Sequence, residues 1–192
     1  MRPKDEQKVE HIYKATLKLV AKYGLAGISM ATIARDAGIG TGTLYTYFKS
    51  KEDLIHALYR QSRVNYGKIL FADYTPGEPI RLALKKIWLN YLNYRIDYYE
   101  ESVLQDQYWV SPYLRDNVES RELTSQVLSP LKTLLERGIK EQLIKKTDLG
   151  LLIITMIGFI SELAVFINLK KFKKTPAFTD EAFGLFWDAI KA

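Results

Sequence analysis

The stretch SMATIARDAGIGTGTLYTYFKSKEDL, residues 29–54, decides the fold. Ser29 can cap a first helix, Met30 to Ala37, its hydroxyl accepting a backbone N–H that has no partner inside the helix. Ile33, Ala34 and Ala37 share one side of that helix, and Ala34 is small enough to let a second helix cross closely. Gly38 tolerates the left-handed backbone of a chain reversal. Ile39 is apolar in the middle of a turn, as suits a plug for a small core. A second helix from Thr41 to Phe48 sets Leu44 and Phe48 four residues apart and facing inward. Small residue, turn, plug and anchor at these offsets form a helix-turn-helix, a unit that seats its second helix in the major groove of DNA.

The outward face of the second helix carries Thr41, Gly42, Thr43, Tyr45, Thr46 and Tyr47, with no Asp or Glu from Ile39 to Phe48. Gly42 lets a backbone come close to a duplex. Thr41 and Thr43 suit a thymine methyl or a base-edge acceptor. Tyr45 and Tyr47 can reach phosphate oxygens or a base edge. Lys49 and Lys51 follow. Ser50 to Asp53 has the form of a capping box, which puts Lys51 at the start of a further helix, beside a positive helix end that suits a phosphate.

These residues resemble the TetR family of transcriptional regulators. The likeness rests on Ile33-Ala34, Ala37-Gly38-Ile39, Gly42, Leu44-Tyr45, Tyr47-Phe48-Lys49, Lys51 and Leu54, with Ile12, Ala15, Leu19, Ala21 and Gly24 upstream. It is close over about residues 9 to 58. The resemblance implies an all-α homodimer that binds a near-palindromic double-stranded operator and lets go when a small molecule enters its C-terminal body. It also implies that Ser29, Thr41, Gly42, Thr43, Tyr45, Tyr47 and Lys51 contact DNA. One departure stands out. Many relatives carry Ser-Lys-Gly or Ser-Arg-Gly where this chain has Gly40-Thr41-Gly42, so a guanine-reading cation is missing at Thr41.

Charge follows the same division. The chain of 192 residues carries a net +6, and ten basic against six acidic residues in the first sixty supply most of it. That fits a DNA-binding head, residues 1–50, on a nearly neutral body, residues 51–192. A hydrophobic share of 47% allows a sizeable core. The absence of cysteine excludes disulfides, thiol catalysis and cysteine-ligated metals. His11 and His56 make no metal site, and no nucleophile–base set or phosphate-cradling glycine loop stands out. Neither enzyme activity nor a cofactor is expected. The first twenty residues lack an uninterrupted apolar run, so no signal peptide is expected and the cytoplasm is the inferred location.

Val9, Ile12, Tyr13, Thr16, Leu17 and Val20 recur at helical spacing, which places an N-terminal helix across the motif. Its polar face holds Lys4, Lys8, Lys14, Lys18 and Lys22. After Lys51 a helix is expected to about Phe71, then a break at Thr75–Pro79, a helix from Ile80 to about Glu100 and another near Ser102 to Val110. Helical pattern runs from about Leu114 to Leu143, with Pro130 able to bend or split it. Thr147-Asp148 is expected to cap the penultimate helix and Thr179-Asp180 the last.

Leu151 to Leu169 carries one charge, Glu162. Its length would permit a membrane span. The cost of a carboxylate inside a span, the basic flanks on both sides and the family likeness favour a soluble helix. The last two helices are then expected to form the homodimer seam, and no membrane association is expected. From Trp88 to Tyr113 the chain is dense in Trp and Tyr. Trp88, Tyr91, Tyr98 and Trp109, with Phe159 and Glu162 from the penultimate helix, are the candidate lining of a pocket for an aromatic or lipophilic effector. The competing reading is a helical small-molecule-binding or enzymatic protein without specific DNA binding.

Overall fold

The computed structural model describes residues 3–115 and 117–192, and the side chains of residues 6–113 and 117–192. Lys4 therefore lies outside the described side chains. The helices are α1 (Pro3–Tyr23), α2 (Met30–Asp36), α3 (Thr41–Tyr47), α4 (Lys51–Leu70), α5 (Ile80–Asp97), α6 (Tyr99–Trp109), α7 (Pro112–Arg115), α8 (Val118–Val127), α9 (Ser129–Lys140), α10 (Leu149–Asn168) and α11 (Pro176–Ile190). Among the described residues there is no strand, only an isolated antiparallel bridge between Ile144 and Lys191. The expected all-α class is observed.

The chain forms two compact units. The first holds residues up to Val64 together with Tyr99–Thr124; the second holds Asn65–Tyr98 and Ser125–Ala192. The first unit thus reaches beyond the boundary drawn at residue 50, because α1 packs not only on α2 but also along α6. Its core joins Ile12, Val20, Ile33, Ala34 and Leu44 to Leu54, Leu58, Tyr59, Leu104 and Tyr108. The early periodicity in α1 is therefore explained by two partners, one of which is far away in sequence.

The second unit is built on α5, which packs against α9, α10 and α11. Its core includes Ile80, Leu84, Trp88, Leu92, Leu131, Leu135, Met156, Ile160, Phe183 and Phe186. Gly138 of α9 is a close-approach position: a Cβ there would lie 2.5 Å from Ile144 Cδ1 and 3.2 Å from Ile80 Cγ2. Glu78, ahead of α5, accepts from Lys86 at 2.7 Å, and this ammonium holds its carboxyl below the usual carboxylate range.

Several boundaries differ from expectation. α5 ends at Asp97, and Glu100 lies in the first turn of α6. The run from 114 to 143 holds the end of α7, then α8 and α9, which part just ahead of Pro130, the split that this residue allowed. Pro130 sits in the first turn of α9, where its missing N–H costs nothing. α9 stops at Lys140 because Gln142 turns left-handed, at φ 59°. Asp148 caps α10 as expected, accepting from Gly150 N at 2.7 Å. The cap of α11 is Thr175, not Thr179-Asp180: its hydroxyl accepts from Phe178 N at 3.2 Å, and Pro176 follows with a backbone preset for a first turn.

Candidate nucleic-acid interface

The local folding of the motif is built from small polar and small apolar side chains. Ser29 Oγ accepts from Thr32 N at 3.2 Å, and Thr32 Oγ1 accepts from Ser29 N at 2.9 Å. This reciprocal box starts α2, with threonine in the place usually taken by Glu or Gln. Gly38 turns the chain at φ 68°, and Ile39 N donates to Ala34 O at 3.0 Å. A non-glycine residue at that φ would be strained. α3 then begins at Thr41. Leu44 is fully buried beneath it, and Phe48, which ends it, packs 5.8 Å from the Tyr13 ring of α1.

That anchoring leaves one rim of α3 open. Thr41, Gly42, Thr43, Tyr45 and Thr46 are exposed, Tyr45 by 51%, and Tyr47 is half-buried. A side chain built at Gly42 would meet nothing within 4 Å, so no packing within the chain demands a glycine there. Ser29 is exposed as well. Six of the seven expected contact residues therefore carry exposed or half-exposed, uncharged groups, and none is consumed in a core.

Lys51 is placed differently. Its Nζ donates to the carbonyl oxygens of Leu25 at 2.9 Å and Ile28 at 3.1 Å, in the loop before Ser29. The start of α4 also departs from expectation. Ser50 Oγ accepts from Asp53 N at 3.1 Å, but the Asp53 carboxylate takes Lys49 N at 2.9 Å rather than the N–H of Ser50. Two donors that a phosphate could use are thus already satisfied by side chains.

Behind the motif lies a polar cluster that sequence reading missed. Tyr59 and Tyr108 stack at 3.7 Å, nearly parallel. The Tyr108 hydroxyl lies 2.6 Å from His56 Nδ1 and 2.9 Å from Ser120 Oγ. Ser120 N donates to Asn117 Oδ1 at 2.8 Å, which turns the Asn117 amide nitrogen towards His56 Nδ1 at 3.3 Å. Nδ1 is therefore an acceptor. Burial, and after it Arg60, pushes the His56 imidazole below its ordinary value, while Asp53, Glu52 and Glu119 pull the other way. Burial pushes the Tyr108 phenol up. No short motif announces this cluster, because its members come from α4, α6 and α8.

The aromatic residues of the body divide. Trp88 and Tyr91 are buried, and Trp88 lies 6.3 Å from the Phe159 ring. The Tyr91 hydroxyl is 3.3 Å from Ser161 Oγ. Tyr98 is exposed and stacks on Tyr94 at 5.5 Å. Glu162 is exposed on α10. Trp109, 62% exposed, belongs to the first unit, whereas the other five belong to the second. The buried Trp88 indole N–H has no acceptor among the described residues. Among them there is also no group of three or more His, Cys, Asp or Glu side chains that could hold a metal.

Residues 12–58 match the family described as bacterial regulatory proteins, tetR family, and residues 79–191 match a tetracyclin repressor-like C-terminal domain. The chain belongs to the TetR family. An HTH-type transcriptional regulator of Haemophilus influenzae is 30% identical over 90 residues, a match covering 47% of this chain and 48% of that protein. The chain thus spans about half the length of such a relative. A TetR-family transcription regulator of Marinobacter aquaeolei shares the fold over 100% of this chain and 99% of its own, at TM-score 0.91 and 24% identity. The Bacillus subtilis regulator FadR, solved in complex with stearoyl-CoA, shares it over 92% and 96%, at TM-score 0.70 and 19% identity. This TetR-family chain has a helix-turn-helix head, and the relatives it matches are described as transcriptional regulators.

Proposed function

We propose that this regulator is a cytoplasmic homodimeric repressor that holds a near-palindromic operator and releases it on binding a small molecule. One observation carries the reading: a rim of uncharged donors and acceptors, Thr41, Thr43 and Tyr45, stands exposed on a helix whose other face is locked by Leu44. Short neutral side chains are what base edges and phosphate oxygens accept without repulsion. Ser29, Gly42 and Tyr47 complete the contact set. Lys51, whose ammonium is held by carbonyls, supports that surface from behind.

A second subunit supplies the second half-site. α10 is long and apolar enough to cross a membrane, but Leu152, Met156, Ile160 and Leu163 bury one face of it in the second unit. The face left open carries Leu151, Ile154, Val165, Phe166 and Leu169, with Leu185 exposed on α11. A partner's α10 and α11 cover such a surface without leaving a helix side in lipid and the other in protein.

The effector reading rests on the second unit. Trp88, Tyr91 and Phe159 offer apolar surface, and the unpartnered Trp88 N–H asks for an acceptor. A lipophilic molecule with one carbonyl or carboxylate fits both needs. The stearoyl-CoA complex of the FadR relative makes fatty acyl thioesters the first class to try. Tyr98 and Glu162, both exposed, take part at most at the edge of such a site, and Trp109 belongs to the other unit.

Selection from a random duplex pool tests the proposal. A two-fold-symmetric sequence should be enriched, bound less tightly as salt rises, and released by a member of an acyl-CoA and fatty-acid panel. Enrichment of no sequence, with small-molecule binding retained, would favour a helical ligand-binding protein instead.

A further inference from the structure

The loop between α1 and α2 is fastened at both ends of one residue. Leu25 N donates to Gln107 Oε1 of α6 at 2.7 Å. Leu25 O accepts from Lys51 Nζ of α4 at 2.9 Å, and the same ammonium holds Ile28 O at 3.1 Å. Leu25 and Ile28 are themselves buried by their side chains. The next residue is Ser29, whose capping box starts α2. Outside helices, backbone groups have to find partners of this kind, and a charged donor makes the stronger bond.

We infer that Lys51 and Gln107 are positioning residues for operator binding: they clamp the polar groups of Leu25 and so fix Ser29 and the entry of α2 beneath α3. Neither touches DNA. Lys51 is long, cationic and next to the motif, which is why the sequence suggests a phosphate contact, but two of its three donors are taken by the Leu25 and Ile28 carbonyls, which have no helix to satisfy them. Gln107 brings α6 into the same clamp. An alteration in α6 therefore reaches the DNA-reading helices through one hydrogen bond as well as through packing. The inference rests on the operator-binding reading above.

Two substitutions and two readouts test it, with the duplex enriched from the random pool as the probe. Lys51→Met should weaken binding about ten-fold at every salt concentration, with the dependence on salt unchanged. Loss of a true phosphate contact would instead lower the slope of log affinity against log salt by about 0.9. Gln107→Leu should speed amide exchange at Leu25 in the free protein and weaken binding. Gln107→Glu keeps an acceptor for Leu25 N and should restore both. A reduced salt slope in Lys51→Met, unaltered Leu25 exchange in Gln107→Leu, or wild-type affinity in both variants would overturn the inference. If the wild-type chain enriches no duplex, the repressor reading fails instead, and Leu25 exchange still reports on the clamp by itself.

Discussion

His56 shows how a single side chain ties the DNA-reading motif to elements distant in sequence. Its Nδ1 accepts from the Asn117 amide and faces the Tyr108 hydroxyl, so a proton there would meet a donor instead of an acceptor. Burial separately lowers its proton affinity in the fold, because the charged imidazolium loses solvation there. The sign of the consequence is fixed. Below about pH 6.5 the unfolded chain takes up a proton that the folded chain resists, so stability present above that value is lost as pH falls. Chemical denaturation of the wild type across this range should show a falling midpoint, and His56→Gln should flatten the decline. Equal declines in the two proteins would assign the acid sensitivity to other groups. Ser29 and Thr32 make the complementary point on a smaller scale: two hydroxyls satisfy two backbone donors that would otherwise face water.

The element on which the proposed operator contact rests is α3, and its two faces separate stability from that proposed role. Leu44→Ala removes a fully buried side chain and should cost about 2–5 kcal/mol of unfolding free energy, read by urea titration. Tyr45→Ala, on the exposed rim, should leave that free energy within about 0.5 kcal/mol and lower operator affinity. Should Tyr45→Ala bind the enriched duplex as well as wild type, the rim would lose its assignment. The neighbouring helix α4 carries a different lesson. Its first turn holds Glu52 and Asp53; Asp53 N already bonds to Ser50 Oγ, and Lys49 N, just ahead of the helix, to the Asp53 carboxylate. A positive helix end in the sequence offers an anion only the donors that stay free, and here these two are taken.

At the scale of the whole molecule, the open apolar face of α10 is the feature that one chain cannot resolve. Leu151 and Ile154 are each more than half exposed, on a helix whose opposite side is core. Apolar surface gains about 25 cal/mol for each Å² removed from water, so a second copy of the same face is favoured. Ile154→Glu should convert the proposed homodimer to a monomer in sedimentation, with helical content retained. Operator affinity should fall in parallel, because a single short helix reads too few base pairs. A dimer that survives the substitution would move the seam elsewhere.

The sequence by itself determined the helical class, the helix-turn-helix from Ser29 to Phe48 and its family, because these depend on local rules: period, caps, a left-handed glycine and small residues at crossings. It also located Asp148 as a cap and Pro130 as a discontinuity, both effects of one residue on its own backbone. Only tertiary structure decided the rest. It extended the first unit past residue 50 by bringing α6 to α1, and divided the Trp and Tyr run between two units. It also turned Lys51 from solvent to the Leu25 and Ile28 carbonyls. Those outcomes depend on which groups meet across long stretches of chain, and a charge or ring in a sequence carries no record of the partner that will satisfy it.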